Sequence, residues 1–167
     1  MKKYPAFAVC FLFLILCSCT TGKQIETKEA KGDISFFDNM EEAFFEVKIG
    51  KLDATGTLSF TDGQLTVEMF SPESMKGLKC STDGKMLSVE HNGLKTEKSA
   101  NSFSKKMFPK ALYEALEEIK NKTAEVFENK ITGNTPSGKY LFTLDDDGIY
   151  LISLCDGFIE LTLEKEE

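Results

Sequence analysis

The chain contains no tryptophan and no arginine, and a single histidine among its 167 residues. Arginine clamps phosphates in a rigid fork, and histidine is the ordinary proton relay near neutral pH. Phosphate recognition and acid–base catalysis therefore lack their usual side chains. All twenty basic residues are lysines, they face 27 acidic ones, and a net charge of −7 argues against nucleic acid as a partner. Proline is scarce at four residues, while 41% of the chain is apolar. That balance excludes disordered, collagen-like and multi-pass membrane classes and leaves one modest folded domain.

What is present begins with a targeting segment. Met1-Lys2-Lys3 gives a positive start, and Ala6 to Cys17 is an unbroken run of twelve apolar residues. The run fits a secretory signal and falls short of the about 20 residues that a spanning helix needs. Leu16-Cys17-Ser18-Cys19 comes next. It resembles the bacterial lipobox, with an aliphatic residue three places before a cysteine and a small one directly before it. The resemblance implies that residues 1–18 are a lipoprotein signal peptide and that Cys19 becomes the acylated first residue, carrying palmitate-like chains. The protein is then a lipid-anchored member of a bacterial cell envelope, on the extracytoplasmic side of a membrane. The residues alone also admit an uncleaved anchor, or a secreted chain cut near Ser18. Acyl chains contribute ~0.8 kcal/mol per buried CH₂, so several chains hold a protein at a membrane without a spanning helix.

Loss of Lys2 and Lys3 leaves 18 lysines against 27 acids, a net −9 that repels anionic headgroups. Residues 19–33, chiefly Thr20 to Asp33, are polar and mixed in charge, as a lipidated tether should be. The folded domain is expected over residues 34–167. Of five cysteines, Cys10 and Cys17 leave with the signal and Cys19 is modified, so Cys80 and Cys155 remain. They form either one disulfide or two buried thiols.

The domain reads as mainly β, a curved antiparallel sheet or incomplete β-barrel with a packed helix. Asp62-Gly63, Asp83-Gly84, Asn92-Gly93, Asp147-Gly148 and Asp156-Gly157 are hairpin signals. From residue 44 on, Leu58 and Phe60, then Leu65, Val67 and Met69, then Leu87 and Val89, alternate with polar residues, giving one apolar face and one wet face. A closing meander is expected at Lys139–Leu144, Ile149–Cys155 and Phe158–Leu163. Between the two groups, Phe108, Leu112, Ala115, Leu116 and Ile119 fall at helical spacing with Pro109 in the first turn, predicting a helix over Phe108–Lys120 across the apolar face. A shorter helix is expected around Phe37 to Ala43.

The stretches Gly56-Thr57-Leu58-Ser59-Phe60, Leu65 to Pro72 and Asp83 to Val89 together resemble the early strands of LolA/LolB-type lipoprotein carriers. Those proteins have a G-x-L-x-F strand, a strand ending at proline and a D-G-K hairpin. The likeness covers residues 44 to 95, with the helix and later meander agreeing in kind. It implies a half-barrel closed by helices around a cavity for lipid chains. The family's polar grip inside the sheet uses arginine, which is absent here. An acyl anchor makes this chain more like the membrane-tethered receptor type than the soluble shuttle.

Chemistry-bearing clusters are few. Asp145-Asp146-Asp147-Gly148 has consecutive acids where a calcium loop alternates them, so it reads as a hairpin turn. Glu41-Glu42 and Glu117-Glu118 are adjacent on helical segments, point about 100° apart and read as solvated faces. His91 precedes Asn92-Gly93 and lines a turn; Ser71-Pro72-Glu73-Ser74 lacks a nucleophile context. No catalytic residue, cofactor or metal is expected. Fourteen Phe and six Met give adaptable apolar volume, suited either to a core or to a pocket. Two functions follow. One is an anchored module binding an apolar ligand, an acyl chain or a lipidated protein, on the concave face through Phe45, Leu58, Phe60, Val67, Met69, Leu87 and Phe142. The other is an interaction or assembly lipoprotein with a solid core that docks an envelope protein.

Overall fold

Period-two alternation carries most of the domain into strands, and turn chemistry decides where each one reverses. The computed structural model describes residues 40–121, 123–144 and 150–164. In its N-terminal part lie β1 (Met40–Ile49), β2 (Leu52–Thr61), β3 (Gln64–Ser71), β4 (Lys79–Thr82), β5 (Met86–His91) and β6 (Leu94–Ser99). After one α-helix, α1 (Phe108–Lys120), come β7 (Glu125–Phe127), β8 (Lys130–Thr135), β9 (Gly138–Leu144), β10 (Tyr150–Leu154) and β11 (Ile159–Glu164).

All described strands belong to one sheet in the order β6-β5-β4-β3-β2-β1-β11-β10-β9-β8-β7, every neighbouring pair antiparallel. β1 to β6 form one meander and β7 to β11 a second, and the two join through β1–β11 at the centre. The connection from β6 to β7 must therefore pass from one edge of the sheet to the other, and α1 lies on that path. The helix touches β3 and β4 on one side and β8 on the other, so the sheet curls around it. β6 and β7 do not pair, and the sheet stays open, an incomplete barrel as expected.

The hairpin signals at Asp62-Gly63 (φ 53° and 75°) and Asn92-Gly93 (φ 51° and 76°) adopt the double positive φ of a type I′ turn. Asp83 works differently. Its Oδ1 accepts the backbone N–H groups of Lys85 (2.9 Å) and Met86 (2.7 Å), and these bonds, Met86 first, hold its carboxyl below the usual range. The last reversal is longer than Asp156-Gly157 alone, since Cys155 and Asp156 both have positive φ before Gly157. Asp145 to Gly148 and Ile149 lie outside the described residues.

The helix expected at Phe37 to Ala43 is corrected. Residues 40–43 belong to β1, and 37–39 lie outside the described residues. A register shift between Met40 and Ala43 explains the misreading, because this bulge puts two buried residues three apart and imitates a helical period. Glu41-Glu42 is consequently in a strand.

Helix α1 matches its expected bounds, and its buried set exceeds the expected stripe by Pro109, Lys110, Ala111 and Tyr113. A helix embraced from two sides buries more than the one stripe a surface helix presents. The core is continuous from Met40 and Phe45 through α1 to Phe142 and Leu163, so every described contributor lies within β1 to β11.

Candidate functional site

Strand parity aims the seven candidate ligand-binding side chains inward. Phe45 lies on β1, Leu58 and Phe60 on β2, Val67 and Met69 on β3, Leu87 on β5 and Phe142 on β9, each 3% exposed or less. Six of them join one cluster with α1, while Leu87 is buried nearer the β6 edge. The helix occupies the trough. Phe108 stands edge-on to Phe45 with ring centroids 5.4 Å apart, Tyr113 lies 6.1 Å from Phe60, and Tyr140 meets Phe142 at 5.7 Å. Full burial of such side chains contributes about 1.5–3 kcal/mol each, so the trough is held chiefly by apolar contact.

The opposite flank of α1 is polar. Lys110, only 5% exposed, pairs with Glu114, whose Oε2 also accepts the Ser137 backbone N–H at 3.1 Å. Burial, then the nearby Glu118 carboxylate, pushes the Tyr140 phenol well above its ordinary range. The Tyr140 hydroxyl, Glu118 Oε2 and Ser137 Oγ are buried and make no hydrogen bond of ordinary geometry. Glu118 is thus not the solvated residue expected of the pair Glu117-Glu118. Burial, followed by Glu117 and Asp83, likewise raises Tyr113. A cleft of about 380 Å³ runs along this flank between Tyr113, Glu117, Asn121 and the Asn134–Pro136 turn.

The outward face carries a feature that sequence reasoning missed. A depression of about 630 Å³ spans the outer side of β1, β2, β11, β10 and β9, lined by Glu46, Lys48, Thr55, Leu141, Leu151 and Thr162 among others. It adjoins a hollow over Gly56 flanked by Phe44 and Phe70, whose rings lie 6.4 Å apart. Phe44, Phe70, Leu141 and Leu151 are exposed, so the face read as wet is amphipathic. The available signal was the apolar doublets Phe44-Phe45, Met69-Phe70 and Leu141-Phe142, because in a strand one member of each must face outward.

The remaining candidates carry no assembled chemistry. Cys80 and Cys155 are buried free thiols rather than a disulfide, and burial pushes Cys80 up to about 11. His91 ends β5 with Nε2 3.2 Å from the Lys76 carbonyl oxygen, beside the turn as expected. Among the described residues no group of three His, Cys, Asp or Glu is placed to hold a metal ion, and no helix is long and apolar enough to cross a membrane. Cys19, the segment 1–18 and the tether 19–33 lie outside the described residues.

No protein-family model matches the chain, and no curated protein matches it either. Among solved structures it is similar to a LolA superfamily protein from Nitrosomonas europaea, with a TM-score of 0.37 and 8% identity over 75% of this chain and 82% of that one. A likeness at that level establishes no shared ligand.

Proposed function

We propose that the protein is an extracytoplasmic lipoprotein, held at a bacterial envelope membrane by fatty chains on Cys19, which binds an apolar ligand on the concave face of its sheet. The ligand is an acyl chain or a lipidated protein, lined by Phe45, Leu58, Phe60, Val67, Met69, Leu87 and Phe142. The carrying observation is an apolar trough covered by one helix instead of by strands. Among the described residues α1 makes no backbone hydrogen bond to the sheet, so the trough can be uncovered without breaking a ladder. Such a cover suits a protein that holds a ligand rather than transforming it, and no residue is assigned to catalysis.

A second reading has its own support. With α1 in place the seven side chains are already packed, and the larger open depression lies on the outer face. That favours a solid-cored assembly lipoprotein docking an envelope protein there. Displacement of a fluorescent fatty acid from the chain from Thr20 onward separates the two. Saturable uptake at micromolar probe, weakened at least tenfold by Leu58→Gln, is the expected result. A folded chain that takes up no probe sinks the binding role and leaves the docking one. Palmitate labelling of the full chain in cells, abolished by Cys19→Ala, is expected of the anchor; labelling that survives the substitution overturns it.

A further inference from the structure

Three segments distant in sequence meet at the end of the sheet where β1 gives way to β2. The Gly50 backbone N–H donates to the Phe158 carbonyl oxygen at 3.0 Å. The Phe158 ring lies against Gly50, where an added Cβ would stand 3.2 Å from it. Lys106 Nζ sits 4.5 Å from the Phe158 ring centroid, and the Cys155 thiol donates to the Lys105 carbonyl oxygen at 3.7 Å. The result is a turn cluster, the tip of this end of the sheet, on which Lys51, Lys105 and Lys106 are exposed around Phe158 and Leu52, themselves 38% and 36% exposed.

The local charge runs against that of the whole. In a chain of 27 acids and 20 lysines, these three lysines enter no ion pair among the described residues. The acid within the three loops is Asp156, whose Oδ1 faces the Lys139 backbone N–H at 3.4 Å, and the nearby strand acids Asp53 and Glu160 both flank Lys48 in register. At the other end of the sheet stand the turns of Asp62, Asp83 and Glu128, and there the chain enters, since Met40 pairs with Phe60 beside the Asp62-Gly63 turn.

We infer that the Lys51–Lys105–Lys106–Phe158 tip is a second membrane contact, a docking surface for an anionic phospholipid bilayer that is separate from the acyl anchor. Lysine ammonium groups seek lipid phosphates, and their stems, with a phenylalanine ring, lie at the headgroup boundary. Exposed lysines around a phenylalanine ring match a layered partner, anionic at its surface and apolar beneath, whereas an acidic protein would supply only the charge. Geometry permits the contact even though chain entry and tip are at opposite ends. The twenty residues from Thr20 to Asn39 reach at most ~70 Å, and the ten of β1 extend ~33 Å. This proximity rests on the anchoring part of the proposed function and is independent of the ligand.

The test uses the unacylated chain from Thr20 onward, which contains every described element, so it does not depend on the anchor. Vesicles of phosphatidylglycerol and phosphatidylethanolamine are expected to sediment it at low salt, with at least a tenfold loss of binding at high salt. Pure phosphatidylcholine vesicles should not bind it. Lys51→Glu, Lys105→Glu and Lys106→Glu together should weaken binding tenfold or more, and Phe158→Ser several-fold, with unchanged circular dichroism. A charge-matched set at the other end, Lys85→Glu, Lys98→Glu and Lys130→Glu, should leave binding within twofold. Equal loss in both sets, equal binding to neutral vesicles, or retention by an acidic polypeptide without vesicle binding overturns the inference.

Discussion

The two meanders solve the same packing problem with different chemistry. In the first, the Phe45 ring covers Gly56, its register partner, so closely that an added Cβ would stand 2.8 Å from the ring and 2.0 Å from the Glu68 carbonyl oxygen. In the second, the Tyr140 ring covers Gly133, its own register partner, with the phenol oxygen 2.4 Å from the same imagined atom. Laying a ring over a glycine lets the sheet curl tightly, and both halves use it. The difference lies at the tip of the ring. Phe45 leads on to Phe108 and the contact is all carbon, whereas Tyr140 ends beside Glu118. The unpartnered buried side-chain atoms among the described residues, on Glu118, Ser137 and Tyr140, all belong to the second flank. One side of α1 is held at Phe45 by carbon contact and the other ends in buried polar groups, so the two flanks hold the helix by different chemistry.

Substitutions can break that contrast. The largest effect is expected at Gly56→Ala, whose methyl meets a backbone oxygen held by the β2–β3 ladder; a loss of about 3 kcal/mol or more should appear in urea unfolding. Gly133→Ala should cost less, about 1–3 kcal/mol, because a tyrosine tip can yield where a carbonyl cannot. Equal costs would remove the distinction.

Next in size, Lys110→Met strands the Glu114 carboxylate and is expected to cost about 1–3 kcal/mol, while adding Glu114→Gln should restore most of it. A fully additive double-mutant cycle would mean that the polar flank contributes no coupling.

The alkaline limb of stability sharpens the same comparison. Folded values above unfolded ones mean that the native state keeps its protons longer, so stability is complete below the unfolded value and falls as pH rises through the folded one. For Cys80, on β4 of the first meander, the fall begins near 9.0 and ends at about 11. It amounts to about 2–3 kcal/mol at most. Tyr140 adds a decline that starts near 10.0. Melting temperatures across this range should lose their earlier slope in Cys80→Ala and their later one in Tyr140→Phe. At neutral pH Tyr140→Phe should stay within about 1 kcal/mol, the smallest effect of the set.

What could be read in advance follows from how local each signal is. Helix α1 was legible because Phe108, Leu112, Leu116 and Ile119 announce a 3.6-residue period, and the Asp-Gly and Asn-Gly turns because backbone sterics fix them. β6 was not, since every one of its residues is exposed and it shows no apolar face; β7 and β8 are short and offer Ile131 alone as a buried anchor. The start of β1 was misread because a bulge disguised its period. For the site, parity sufficed to aim seven side chains inward. The Glu118–Tyr140 contact and the outer depression depend on register between strands far apart in sequence, which no local pattern encodes.

The pairing of β1 with β11 has a consequence for biogenesis. Among the described strands β1 gains its second neighbour only once Ile159–Glu164 has been made, so this pairing spans the intervening residues from Ile49 to Ile159. Late closure of this kind slows folding by the entropy of the intervening loop. On the proposed route to the outer side of a membrane, that delay would keep the emerging polypeptide threadable during translocation.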